Sequence, residues 1–288
     1  MSTFVLLTLT GLGLGALYFL VAAGLSLIFG LADVLNFAHG LLLSVGAYAA
    51  WWAGRHLAFV AAVAVGVAVG TIVAVLIELL LIRPLYARPI QQILVTVGLA
   101  AAGVALLHAV WGADPVPFPR PAWVTGTTRV LGAAVPVDRF LLIGSALAVL
   151  AALLLILRRT RFGLIVRAGV EDRAMVTALG IDVRTAFTLV FAIGGAAAAL
   201  AGALAGTYFG TLTPELGGSL LIFAFIVVVI GGTGSVTGCA LAAVLVGLVQ
   251  QFANYYAAAG VGEASVVLLL AIVLLIRPGG LTGRTATA

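Results

Sequence analysis

The chain has 288 residues, 64% of them hydrophobic and only 8% charged, with a net charge of +5; soluble domains carry roughly a quarter charged residues, so an ordinary water-soluble fold is excluded. All fourteen basic residues are arginine, which excludes a phosphate-binding GxxxxGK[ST] loop and nucleotide hydrolysis by that route. The arginines are spread between apolar spans instead of forming a basic face with interleaved aromatics, so no nucleic-acid partner is expected.

In chain order, the opening run MSTFVLLTLTGLGLGALYFL has no basic residues ahead of it and stays uncharged as far as Ala32. That is too long for the apolar core of a signal peptide, and residues 4–28 are expected to form the first membrane segment. Further segments are expected at 37–52, 58–81, 92–111 and 140–157, then at 186–209, 220–230, 236–257 and 264–276. A full crossing needs about 20 residues; the second, seventh and ninth segments are short, so eight or nine crossings are expected. The 47 uncharged residues 216–262 would reach ~70 Å as one helix and must fold back. The fold class expected is all-α, a single polytopic membrane domain over residues 1–288 with discontinuous helices. Cys239, the one cysteine, lies in a Gly/Ala-rich run and is expected to be a small packing residue.

Two interruptions, one in each half, break the apolar pattern. The first, GLADVLNFAHG at 30–40, carries Asp33, Asn36, Phe37, His39 and Gly40; the second, GGTGSVTG at 231–238, carries Gly231, Gly232 and Gly234. Backbone freed by a break must be buried in protein or line a watery cavity, because hydrocarbon offers no hydrogen bonds. Paired breaks mark the pathway in many transporters, and polar groups at membrane depth are costly enough to imply function. Asn36, Phe37, His39, Gly40, Gly231, Gly232 and Gly234 are therefore the candidate translocation or gate residues. Close helix packing through small residues is the competing account, and it stays open for the second break. Glu78 and Arg83, at the end of the third segment, are spaced to pair across adjacent turns as a structural feature of a helix end. The segment DPVPFPRPAW at 114–123 is expected to be an extended or turn connector without ladder bonds.

Residues 158–184, RRTRFGLIVRAGVEDRAMVTALGIDVR, gather nine charged side chains into a polar island between two apolar spans. Ala168, Met175 and Leu179 share one stripe of an expected short amphipathic helix, with Arg173 and Thr177 opposite and Gly180 as its stop. A solvated loop held by anionic lipid and a docking element for a soluble partner are both compatible with this pattern. Basic residues concentrate on the cytoplasmic side of membrane proteins. With the island inside, ten arginines fall inside and only Arg55, Arg120, Arg129 and Arg139 outside. The expectation is an outside N-terminus and, for nine segments, an inside C-terminus.

Catalytic constellations are thin: His39, His56 and His108 are isolated in the sequence, and HExxH, GxSxG and clustered Cys/His spacings are absent. No catalytic residue, metal site or cofactor is expected. The acidic residues Asp33, Glu78, Glu215 and Glu263 all fall near segment ends, which argues against an ion-coupled carrier with mid-depth carboxylates.

Taken together, GLGLGALYFLVAAGLSLIFGLADVLNFAHG, ELLLIRPLYARP, RFGLIVRAGVEDRAMVTALGIDVRTAF, VIGGTGSVTGCALAAVLVGL and RPGGLTGR resemble the membrane permease subunits of branched-chain amino-acid ABC importers. The NFAHG motif at 36–40 is the most specific piece, followed by the island at 167–180. The resemblance implies a translocation subunit that catalyses no covalent chemistry itself. It also implies a second related permease subunit, two cytoplasmic ATP-binding subunits and an extracytoplasmic substrate-binding protein, in contact with membrane lipid in the bacterial inner membrane. The cytoplasmic loop at about 158–184 would touch the ATPase through Arg167, Ala168, Glu171, Asp172, Met175, Leu179 and Gly180. Ribose-type sugar permeases belong to the same broad superfamily and are the alternative, with an intramembrane enzyme as a rival of another class. The spans hold few amide or acidic side chains, which fits an aliphatic cargo better than a sugar.

Overall fold

The computed structural model describes residues 2–32, 36–86, 88–171, 175–176, 183–258 and 260–282. Nine helices correspond one for one to the nine expected segments: α1 (Ser2–Ala32), α2 (His39–Ala53), α3 (Phe59–Ile77), α4 (Pro89–Trp111), α6 (Val137–Arg159), α8 (Val183–Phe209), α9 (Leu216–Gly231), α10 (Val236–Tyr256) and α11 (Val261–Ile276). The short helix α5 (Ala122–Thr125) and the surface helix α7 (Arg161–Glu171) are further α-helices, and α3 runs on into a wide helical turn (Glu78–Ile82) and a 3-10 turn (Arg83–Leu85). Six of the nine are long and apolar enough to cross a membrane unaided. The other three are the ones expected to be short: α2, α9 and α11 have 15, 16 and 16 residues. At 1.5 Å per residue each spans only about 22–24 Å, less than the roughly 30 Å hydrocarbon core.

Helix α1 is the axle. Its 31 residues are apolar on every face, so no side is marked for water. From Leu14 to Ile28 it is buried throughout, packed by α6, α8, α9 and α10. Small residues set how closely these neighbours approach: a Cβ added at Gly15 would stand 2.6 Å from the Ala243 carbonyl oxygen of α10, and one at Gly24 the same distance from that of Gly194 on α8. Tyr18 donates a 2.7 Å hydrogen bond to Gln250 Oε1 of α10 and stacks on Phe223 of α9, with ring centroids 4.9 Å apart.

The periphery is apolar too. On α4, Ile90 and Leu94 are more than 70% exposed, as are Leu275 and Ile276 on α11. Water would not tolerate such a surface, but lipid and a companion membrane subunit would.

Alternation of the crossings puts the loops at 54–58, 112–136, 210–215 and 257–260 at one end. The loops at 78–88, 158–183 and 232–235 lie at the other. At the first end the proline-rich segment departs from expectation. Strand β1 (Val116–Pro117) pairs antiparallel with β4 (Thr211–Leu212), and Phe118 N–H donates to Gly210 O at 2.9 Å. Proline is tolerated because the ladder is two residues long and its missing donor falls on an edge. The same end carries a hairpin of β2 (Thr127–Val130) and β3 (Ala133–Pro136). Its two-residue turn puts Leu131 and Gly132 at φ 49° and 82°, the positive values a tight hairpin turn requires.

Candidate functional site

Helix α2 does not begin at the membrane face. His39, its first residue, is fully buried, and its ring Nε2 donates to the carbonyl of Val21, well inside α1, at 3.1 Å. The chain thus leaves α1 near one end and restarts as a helix at mid-depth. Asn36 organises the restart. Its Oδ1 accepts the Ala38 N–H at 3.1 Å and its carbonyl accepts the His39 N–H at 3.1 Å, which satisfies backbone that would otherwise be orphaned. Phe37 packs on Phe225 of α9, ring centroids 5.5 Å apart. Gly40 meets Gly217 of α9 backbone to backbone: a Cβ at Gly40 would stand 2.8 Å from the Gly217 carbonyl oxygen. Next to that crossing, Ser44 Oγ donates to Pro214 O at 2.9 Å and accepts from Gly217 N–H at 3.1 Å. The starts of the two short helices α2 and α9 are therefore clamped to one another. Asp33 lies outside the described residues.

The second interruption is a turn between α9 and α10. Gly232 and Gly234 have φ of 95° and 77°, values that side chains rarely adopt, so glycine is required at both. Ser235 caps α10 by accepting the Gly238 N–H at 3.0 Å. Residues 280–282 fold back over this turn: Leu281 N–H donates to Ile230 O at 2.7 Å and Thr282 Oγ1 to Gly231 O at 2.6 Å. Broken backbone is thus satisfied by protein. The two interruptions also meet, since a Cβ at Gly30 would stand 2.5 Å from Gly234 Cα. The sequence placed them more than 190 residues apart.

The island starts within α6, which ends in Arg158 and Arg159. Thr160 then caps α7, its Oγ1 accepting the Gly163 N–H at 3.0 Å, so the surface helix begins at Arg161, seven residues before the expected stripe. On α7, Val166 is buried, and Phe162, Ile165 and Ala168 pack partly against the core; Leu164 is 61% exposed on the other face, with Arg161 and Arg167 also exposed. Ala168 is accordingly part of the face that seats α7 on the body, and the outward apolar residue that the sequence did not single out is Leu164. Met175 is half exposed and Val176 buried. The backbone of α7 runs to Glu171, while Asp172, Leu179 and Gly180, together with Arg173 and Thr177, lie outside the described residues.

Two pairings differ from expectation. Glu78 is fully buried in a wide helical turn, Glu78–Ile82, that ends α3, and it accepts hydrogen bonds from Tyr86 Oη and, at 2.8 Å, from Thr188 Oγ1 of α8. Among the described residues it forms no ion pair with Arg83; the wide turn redirects the side chain towards α8. His108, isolated in the sequence, lies 2.5 Å from Glu215 at the proline-loop end. Neither contact is visible from local spacing, since the partners are 110 and 107 residues apart.

A cavity of about 210 Å³ borders both regions of interest. Its walls are Ser26, Leu27 and Gly30 of α1, Leu157 of α6, Val166 and Arg167 of α7, and Gly234 of the α9–α10 turn.

Comparison with known proteins agrees with this architecture. Residues 7–277 match the model of a family described as branched-chain amino acid transport system / permease component. The high-affinity branched-chain amino acid transport system permease protein LivH of Escherichia coli strain K12 is 27% identical over 95% of this chain and 94% of its own. BraD of Pseudomonas aeruginosa, described in the same words, is 30% identical over the same shares, and a probable LivH of Methanocaldococcus jannaschii is 26% identical over 92% and 88%. No solved structure matches. With the family model covering nearly the whole chain and every expected span present as a helix, the chain belongs to the permease-component family of branched-chain amino-acid transport systems and is a multi-pass membrane protein of that family.

Proposed function

We propose that this chain forms one half of the translocation pathway of an ATP-driven importer of branched-chain or related aliphatic amino acids in the bacterial inner membrane. The observation that carries the proposal is the full-length similarity to LivH and BraD, together with a fold whose two interruptions converge. A substrate-binding protein delivers cargo at the proline-loop end, and a second related permease subunit supplies the other half of the pathway. Two ATP-binding subunits sit at the island end. The chain itself breaks and makes no covalent bonds. ATP-driven closure of those subunits displaces the island, with Leu164, Arg167, Glu171, Asp172, Met175, Leu179 and Gly180 in or beside the contact, and α7 and α8 carry the displacement to the clamped helix starts. Asn36, Phe37, His39, Gly40, Gly231, Gly232 and Gly234 shape the gate.

Orientation is tested first. Cysteines placed at Thr127 in β2 and at Leu164 in α7 are expected to label from opposite faces of intact cells, Thr127 from outside; the native Cys239 is buried and contributes little background. Labelling of both by one impermeant reagent would overturn the topology. Cargo is tested with the reconstituted complex of both permeases, the ATPases and the binding protein. Saturable ATP-dependent uptake of leucine, isoleucine or valine that excess ribose does not inhibit is expected, and the reverse pattern would move the protein to the sugar branch.

A further inference from the structure

The ELLLIRPLYARP motif at 78–89 has no part in the pathway as proposed, yet two costly features coincide on it. Glu78 is a carboxylate with no exposed surface, held by hydroxyls: Tyr86 Oη donates to Oε1, and Thr188 Oγ1 of α8 donates to Oε2 at 2.8 Å. Among the described residues no cation pairs with it. A carboxylate buried in this way costs more than an apolar side chain of the same volume would. The backbone beneath it is the wide turn Glu78–Ile82, a rare conformation that recurs at functional positions in helices.

The residues that Glu78 joins lie where the island meets the body. Thr188 is in the second turn of α8, the helix that leaves the island, and the Tyr86 ring packs on Phe187 of the same turn with centroids 4.8 Å apart. Farther from the island, α3 and α8 close on each other through small residues. A Cβ at Gly195 would stand 2.2 Å from Ala74 Cβ, and one at Gly70 would stand 2.4 Å from Ala199 Cβ. Helix α2 is seated on both: a Cβ at Gly46 would be 2.5 Å from Ala199 Cα, and one at Gly66 of α3 would be 2.5 Å from Gly46 O. Helices α2, α3 and α8 therefore pack main chain against main chain, and such a block moves as a body instead of deforming. We infer that Glu78 is the positioning residue that locks the island end of α8 onto this block, so that displacement of the island carries α8, α3 and α2 together and reaches the start of α2 at Asn36 and His39. Without the lock, the first turns of α8 could bend away from α3 while the glycine contacts farther along stayed closed, and the displacement would be absorbed within α8. Bonds from hydroxyl to carboxylate are short and directional, which suits a joint better than aliphatic contact does. This role rests on the ATP-driven pathway proposed above and names the joint through which that pathway is driven.

The test uses the full complex in liposomes. Thr188→Val and Tyr86→Phe each remove one donor with little change of volume, and Thr188→Ser keeps the hydroxyl. Leucine moved per ATP hydrolysed is expected to fall about fivefold or more in the first two, on the scale of ordinary coupling energies, and to return in Thr188→Ser. Recovery of assembled complex should stay close to that of the unaltered protein. Nitroxide labels at Leu76 of α3 and Leu189 of α8, both exposed and at the level of Glu78, read the joint without any cargo. Their spin–spin interaction is expected to be the same in nucleotide-free and vanadate-trapped complexes, and to change on trapping in Thr188→Val. An unchanged transport ratio in both variants overturns this role, as does uptake that falls only in proportion to assembly. Labels that separate on trapping in the unaltered complex, or that behave alike with and without the Thr188 hydroxyl, overturn it equally. Absence of leucine uptake by the unaltered complex would count against the cargo proposed above, and the labels would still decide the joint.

Discussion

Gly217→Ala should abolish uptake and lower the thermal midpoint of the purified complex, while Gly218→Ala, one residue on, should do neither. A methyl group at Gly217 would overlap the Gly40 carbonyl oxygen and come within 2.7 Å of Ser44 Oγ, whereas at Gly218 it would meet nothing within 4 Å. The contact at Gly217 is with main chain, which no rotamer change can relieve. Overpacking in a filled core costs about 1–3 kcal/mol when side chains can give way, and a clash with backbone belongs at or above the top of that range. The Ser44 hydroxyl would also be pushed off Pro214 O and Gly217 N–H, its two partners. Both substitutions add the same atom to the first turn of the same helix, so propensity alone makes them equal and only the crossing with α2 separates them. Uptake by reconstituted complexes and a melting curve in detergent decide it; equal behaviour of the two variants would mean that the crossing of α2 and α9 does not hold the fold.

The second large effect is expected at the start of α2. Asn36→Ala and His39→Ala should each reduce uptake about tenfold or more, on the scale of ordinary coupling energies, with assembly of the complex largely retained. Loss of the Asn36 bond to Ala38 N–H, in the turn just ahead of α2, costs roughly 1 kcal/mol as a single hydrogen bond, and the His39 bond to Val21 O is of the kind that averages ~0.6 kcal/mol in a membrane interior. Costs of that size do not unfold a helix that is packed on all sides. They are large enough to alter the balance between two gate positions, where every 1.4 kcal/mol is about tenfold in population. The measurement is uptake alongside recovery of assembled complex on a sizing column. If the two fall in proportion, Asn36 and His39 are structural and the gate lies elsewhere.

The nine spans were legible because apolar length between charges is a local property, and two of the three that looked short are short for a physical reason: α2 starts at mid-depth and α9 starts against it. Asn36 and His39 were legible as unusual, since polar groups in an apolar run need a reason. The backbone they serve, Ala38 N–H and Val21 O, could not be read, because Val21 is separated from His39 by a turn of the chain whose direction no local pattern sets. Ala168 was grouped with Met175 and Leu179 as a stripe offered to the ATPase, whereas in α7 it packs partly against the body; Thr160, a capping residue followed by RFG, was the available signal for where that helix starts. Glu78 was given the wrong partner as well. Spacing along a regular helix brings it near Arg83, but the wide turn at Glu78–Ile82 breaks that register and sends the carboxylate to Thr188.

The contacts of α1 bear on how the protein is made. Helix α1 finds its most extensive partner in α10, made more than 200 residues later, with Gly15 seated against Ala243 and the Tyr18 hydroxyl bonded to Gln250. During synthesis the Tyr18 hydroxyl must therefore wait in the bilayer for the amide that will satisfy it. Insertion and packing are separated in time, so a substitution at Gln250 should act chiefly by lengthening that wait, as a loss of yield during biogenesis.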